Sequence, residues 1–213
     1  MSMDIEEHAI VIERTARFAQ LGKLSDDTET LWLVVHGYAQ LARDFISVFK
    51  PLANSRTVIV APEGLSRFYA KGFYGNVAAC WMTREDRANE IKDYVNYIDK
   101  LQKQLTGQYP GIKINLLGFS QGVATISRYV AIAKPRFNQL WLCAGELPAD
   151  IDWDAFKQIM GDKEINFMVG DNDPFVTEKG IKQIEDKLSV HDLAYQTYQF
   201  KGVHEVSVDL LAG

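Results

Sequence analysis

Gly118-Phe119-Ser120-Gln121-Gly122 sets one serine between two glycines, after the apolar run 112–117 and before a helix-like segment, 123–131. A strand that reverses abruptly into a helix forces the serine backbone into a strained conformation, and side chains at the flanking glycine positions would collide with it. The strain leaves the hydroxyl exposed at the carboxyl edge of a sheet. The free N–H groups and positive dipole end of the following helix then face any anion that forms beside the serine. The chemistry this suits is nucleophilic attack on an acyl carbon. A serine hydroxyl is a poor nucleophile at neutral pH, so a histidine must take its proton and an acid must orient that histidine.

The chain has four histidines. His8 precedes everything but an edge strand, and His191 sits in a polar helix-to-strand connection. His36 ends a strand before Gly37, where it can line the site but serves structure more than proton transfer. His204 follows the last strand on a loop at its carboxyl end, which makes it the candidate base. For the acid, Gly170-Asp171-Asn172-Asp173-Pro174 follows the apolar run 165–169 and lies between nucleophile and base in the chain. Asp173 is the first choice and Asp171 the reserve, although Asp before Pro also suits a plain turn. Two donors are needed for an oxyanion: the backbone N–H of Gln121, directly after the serine, and that of Tyr38 in His36-Gly37-Tyr38-Ala39-Gln40.

These groups need a frame. The short, uniformly apolar runs 31–35, 57–61, 114–117, 140–143 and 165–169, with 195–200, predict strands that are mostly buried and parallel. Segment 10–18 mixes an apolar start with later alternation and predicts an N-terminal strand or hairpin at a sheet edge. Between residues 83 and 105, Ile91, Tyr94, Val95, Ile98, Leu101 and Leu105 fall on one helical face, with Thr83 and Asp86 as a capping pair and Gly107 and Pro110-Gly111 ending the helix. Further helices are expected at 41–49, 153–160 and 177–188. Such alternation implies an α/β fold with an open, mostly parallel central sheet covered by helices on both faces.

The connection 63–82 is long enough to imply a function of its own. Its Phe68, Tyr69, Phe73, Tyr74, Trp81 and Met82 suit either a wall or flap over the serine or a seal on one end of the core. His36, Phe68, Tyr69, Phe73 and Trp81 are the candidate substrate-pocket residues. Arg67 and Lys71 read as solvated charges.

With 213 residues, 47% of them hydrophobic, residues 1–213 are expected to form a single domain. A formal charge of −5 with basic residues scattered among acids argues against nucleic acid as a partner. There is no G-x-G-x-x-G and no phosphate-binding G-x-x-x-x-G-K, which leaves nucleotide chemistry unsupported. The distant Cys80 and Cys143 and the absence of H-x-x-H or C-x-x-C spacing argue against a metal site, and no cofactor is expected. The start of the chain is acidic and lacks the basic and apolar regions of a secretory signal, and no apolar run reaches the length of a membrane span. Reduced, buried thiols and a cytoplasmic location are the expectation. A homodimer is possible, but nothing in the sequence supports one.

Taken together, His36-Gly37, Ala61-Pro62, Gly118-Phe119-Ser120-Gln121-Gly122, Asp173-Pro174-Phe175-Val176 and His204 resemble the α/β-hydrolase superfamily. Within it they are similar to the phospholipase/carboxylesterase group that includes acyl-protein thioesterases, over roughly residues 30 to 210. The resemblance implies an α/β-hydrolase fold without a large cap domain, a Ser120-His204-Asp173 triad, and Tyr38 and Gln121 as oxyanion donors. It implies hydrolysis of carboxylic esters of small to medium acyl groups through an acyl-enzyme. A thioesterase, lysophospholipase or acyltransferase would use the same triad, with a small acyl ester or thioester as partner. A ligand-binding protein on an inactive hydrolase scaffold is the alternative of another class. The chain departs from the group's pattern at Ala39, Thr177 and Val203, where glycine, proline and glycine are frequent, and at Tyr38, where an aliphatic residue is common.

Overall fold

The structure, a computed structural model, describes residues 5–212; the part of the acidic-start reading that falls on residues 1–4 lies outside the described residues. The elements run β1 (Phe18–Leu21), β2 (Thr30–Val35), α1 (Ala42–Phe45), β3 (Thr57–Pro62), β4 (Ser66–Lys71), β5 (Tyr74–Cys80), α2 (Arg87–Thr106), β6 (Lys113–Phe119), α3 (Gln121–Ala133), β7 (Gln139–Cys143), α4 (Trp153–Met160), β8 (Ile165–Gly170), α5 (Glu178–Val190) and β9 (Tyr195–Phe200). Seven of the strands form one sheet in the order β1-β3-β2-β6-β7-β8-β9. Every pairing in it is parallel except that of β1 with β3.

The uniformly apolar runs are strands because both faces of the sheet are covered. Leu31, Leu33 and Val35 of β2 point to the layer built by α2 to α5, where Tyr94, Ile98, Ile126, Phe156 and Leu188 meet them. Trp32 and Val34 point to the opposite layer, with Phe45, Phe49, Val206 and Leu211. This period-two split repeats in β3 and β6. The second layer is thinner, made of α1, a 3-10 turn over Ile46–Phe49 and another over Val208–Leu211. Register places Val35 opposite Gly118 and Phe119 opposite Cys143. The carboxyl ends of β2, β6 and β7 thus share one rim, with β8 and β9 ending alongside them.

Four local expectations are corrected. The N-terminal strand covers only Phe18–Leu21; its first residue pairs with Pro62, where β3 stops. Residues 10–17 therefore have no partner strand, and Ile10, Val11 and Ile12 are exposed. The long helix begins at Arg87, because Asp86 is left-handed (φ 46°) and makes no side-chain cap. Thr83 instead donates its N–H to Glu90 in the first helical turn, at 2.6 Å. Segment 41–49 is four α-helical residues followed by the 3-10 turn. Finally, 63–82 is a hairpin of β4 and β5 joined at Gly72-Phe73, where Gly72 supplies the positive φ (73°) of a tight turn. Among the described residues no helix is long and apolar enough to cross a membrane. Cys80 and Cys143 are free and buried.

Candidate active site

Ser120 links β6 to α3 with φ 54° and ψ −118°, a conformation that non-glycine residues hold only where the surroundings impose it. The imposing contacts are backbone. A Cβ at Gly118 would stand 2.3 Å from the Gly122 carbonyl oxygen, and one at Gly122 would stand 2.2 Å from that of Val35. Ser120 N–H donates to Cys143 O at 2.9 Å. The sequence reading missed Gly145, beyond the end of β7, where a Cβ would lie 2.3 Å from Ser120 O. The glycine closing Cys143-Ala144-Gly145 after an apolar strand was the available signal.

The loop after β2 reaches the serine through Gly37, whose added Cβ would meet Ser120 Cβ at 3.0 Å. Gly37 N–H donates to Gln40 Oε1 (2.8 Å) and Ala39 N–H to Ala79 O of β5 (2.9 Å). The N–H groups of Tyr38 and Gln121 have no partner within the fold among the described residues. One of these N–H groups belongs to the loop that meets Ser120 through Gly37 and the other directly follows Ser120 in the chain. The Gln121 side chain accepts from Trp81 N–H (3.2 Å) and donates to Met82 O (2.9 Å). The Trp81 indole N–H donates to His36 O at 2.9 Å. The base of the hairpin therefore ties together the two segments that carry these donors.

His36 is fully buried. Its Nε2 accepts from Gly64 N–H at 2.9 Å, which leaves the proton on Nδ1 to donate to Gly37 O at 2.7 Å. Burial lowers its pKa, with partial opposition from the Gly37 hydrogen bond and the Glu63 charge. His36 and Trp81 thus present no surface to a ligand in this structure; they support the loop. Phe68, Tyr69 and Phe73 lie on the hairpin, Phe68 stacked on Tyr38 with ring centroids 5.4 Å apart and Phe73 exposed at the tip.

Glu63 was missed as well. Its buried carboxylate accepts from Arg17, from Arg67 at 3.1 Å and from Ala42 N–H at 3.3 Å, joining the hairpin base to β1 and α1. Burial would raise this carboxyl, but hydrogen bonds from Arg17 and Arg67, the Arg17 charge and Ala42 N–H outweigh it and hold it below its ordinary value of 4.5. A carboxyl lowered in this way stabilises the fold above its ordinary value and loses that contribution as pH falls through the folded value. Glu63→Gln is accordingly expected to lower Tm at pH 7, with the gap from the native chain closing below about pH 4.5. Thermal melts followed by circular dichroism check this, and a gap independent of pH would contradict it.

Asp173 and His204 come from the neighbouring strand ends, after β8 and β9. Asp173 is buried after β8; its Oδ1 accepts from Phe175 N–H (2.8 Å) and Val176 N–H (3.0 Å). Its Oδ2 lies 2.8 Å from His204 Nδ1. A carboxylate only accepts, so Nδ1 carries the proton and Nε2 keeps its lone pair. The imidazole packs on Phe119, the residue before Ser120, at 4.8 Å between ring centroids. No hydrogen bond joins Ser120 Oγ to His204 among the described residues. Asp171 is engaged elsewhere: it accepts from Gly202 N–H at 3.0 Å and so fastens the loop that carries His204. Thr177, in place of the frequent proline, caps α5 through Gly180 N–H at 3.3 Å. A cavity of about 570 Å³ between residues 9–18 and α2 contains none of these groups.

No family sequence model matches the chain, and no curated protein sequence matches it. Solved structures are similar across nearly its whole length. Acyl-protein thioesterase 2 of Zea mays superposes with a TM-score of 0.66 at 15% identity, covering 93% of this chain and 96% of its own. A phospholipase/carboxylesterase of Dyadobacter fermentans gives 0.62 at 18% identity, covering 93% and 95%. The esterase PE8 gives 0.64 at 18% identity, covering 92% and 96%. The chain has the α/β-hydrolase fold.

Proposed function

We propose that this chain is a single-domain serine hydrolase that cleaves carboxylic esters of small to medium acyl groups through an acyl-enzyme. His204 Nε2 takes the Ser120 proton as Oγ attacks the acyl carbon. The Tyr38 and Gln121 amides hold the resulting oxyanion, and the imidazolium, oriented by Asp173, gives the proton to the departing alkoxide. Water then enters by the same route: His204 removes its proton, the hydroxide attacks the acyl carbon, and the proton returns to Ser120. No step calls for a metal or an organic cofactor.

The observation that carries this reading is the 2.8 Å contact of His204 Nδ1 with the buried Asp173 carboxylate, with the ring packed beside the strained Ser120 turn. The Oγ-to-imidazole hydrogen bond is open, as is common before substrate tightens such a site. The names of the similar structures, an esterase, a phospholipase/carboxylesterase and an acyl-protein thioesterase, support the same chemistry. The last of them favours thioesters as a second reading, which kcat/KM on an ester and a thioester with one acyl chain decides. Free, buried cysteines fit a reducing, cytoplasmic setting. Mixing the protein with excess p-nitrophenyl butyrate should release about one equivalent of nitrophenol per chain in a burst, with the acyl mass on the protein. Sustained binding of esters with neither burst nor turnover would favour a ligand-binding role.

A further inference from the structure

We infer that Phe175, together with Val203, forms the apolar wall of the leaving-group subsite, and that the enzyme favours esters of apolar, aromatic-sized alcohols over short ones. The inference rests on the hydrolase reading and adds to it which part of the substrate is selected. In serine acyl transfer the imidazole hands its proton to the leaving oxygen, so the alcohol lies on the base's side of the reacting carbon. Two aromatic rings pack against His204. Phe119 is 5% exposed and belongs to the core. Phe175, with its centroid 4.7 Å from the imidazole and its ring at 70° to it, is 75% exposed.

The main chain that carries this ring is fixed: Phe175 N–H donates to Asp173 Oδ1, and α5 starts three residues later behind its Thr177 cap. Val203, next to His204 in the chain, is half exposed. Thus the Asp173 loop presents an apolar ring to solvent against the base, and the loop bearing His204 exposes an apolar residue adjacent to it in the chain; burial of both under an alcohol group would be favourable. The other aromatic pair, Tyr38 on Phe68, belongs to the oxyanion loop and hairpin. The two ends of an ester would therefore be read by different elements.

The test is kcat/KM for benzyl butyrate and ethyl butyrate on the native enzyme, Phe175→Ala and Phe175→Leu, with Tm measured for each. The native enzyme should prefer the benzyl ester. Phe175→Ala should reduce the benzyl-to-ethyl ratio by about tenfold, and Phe175→Leu by less, with Tm close to native because the side chain is exposed. Equal falls on both esters would mean that Phe175 only steadies His204, and would overturn the inference. A native enzyme that hydrolyses both esters without preference would overturn it too, while leaving the hydrolase reading intact. Turnover of neither ester would overturn both.

Discussion

Ser120→Ala is expected to lower kcat/KM on any ester substrate by at least about 10⁴-fold, and His204→Ala to do the same, with the double variant little worse than either. The non-additivity follows from the mechanism. A serine without its base, or a base without its serine, leaves only the Tyr38 and Gln121 donors and substrate binding to accelerate the reaction. Ser120→Ala should disturb the fold little. Ser120 Oγ takes no part in the turn's hydrogen bonds, which run through its backbone N–H and O to Cys143 and Val123. Steady-state kinetics with a nitrophenyl ester, corrected for background hydrolysis, measure the effect. A loss of less than tenfold in Ser120→Ala would place the nucleophile elsewhere.

Asp173→Asn should cost about 10⁴-fold in kcat with the fold intact. The amide can offer its N–H where the carboxylate accepted, which turns the His204 ring to the wrong tautomer and leaves no lone pair toward the serine. Asp171→Asn should cost less than threefold, because the amide oxygen can still accept from Gly202 N–H. The two variants share a loop and a substitution type, so a general disturbance of the β8 end would affect both alike. If Asp171→Asn proved the damaging one, the acid would move two residues and the 2.8 Å contact of Asp173 with His204 would be a scaffold only.

What the sequence makes legible is what is encoded locally. The glycines around Ser120 announce the elbow because each closes on backbone within a few residues or on an adjoining strand end. Burial on both faces makes β2, β3, β6, β7 and β8 uniformly apolar, so their positions are readable within a residue or two. The pieces that stay hidden depend on distant partners. Gly145 looks like an ordinary loop glycine until β7 is laid beside β6 and its α-carbon meets the Ser120 carbonyl. Glu63 looks like a solvent-facing acid beside a proline, yet two arginines 46 residues behind and 4 ahead in the chain make it a buried anion. Residue type alone puts His36 and Trp81 in a pocket, whereas both are buried and support the loop over residues 37–40. The strand expected over 10–18 shortens because β3 ends, and no local pattern in that segment records where its partner stops.

Ala39 shows how a departure from a family pattern can be structural. It holds φ 61°, the conformation for which glycine is the ordinary choice, and it is kept there by its hydrogen bond to Ala79. The hairpin thus supplies rigidity that a second glycine would not need. Its outer half is exposed, Phe73 above all.

The most direct measurement is incubation with a fluorophosphonate, following intact mass over time and mapping the adduct, with Ser120→Ala and His204→Ala in parallel. An activated serine predicts rapid addition of one phosphonyl group, confined to Ser120 and abolished in both variants. A native chain that stays unlabelled under conditions that label an ordinary esterase, or an adduct on another residue, would contradict the assignment of Ser120 as nucleophile and His204 as its base.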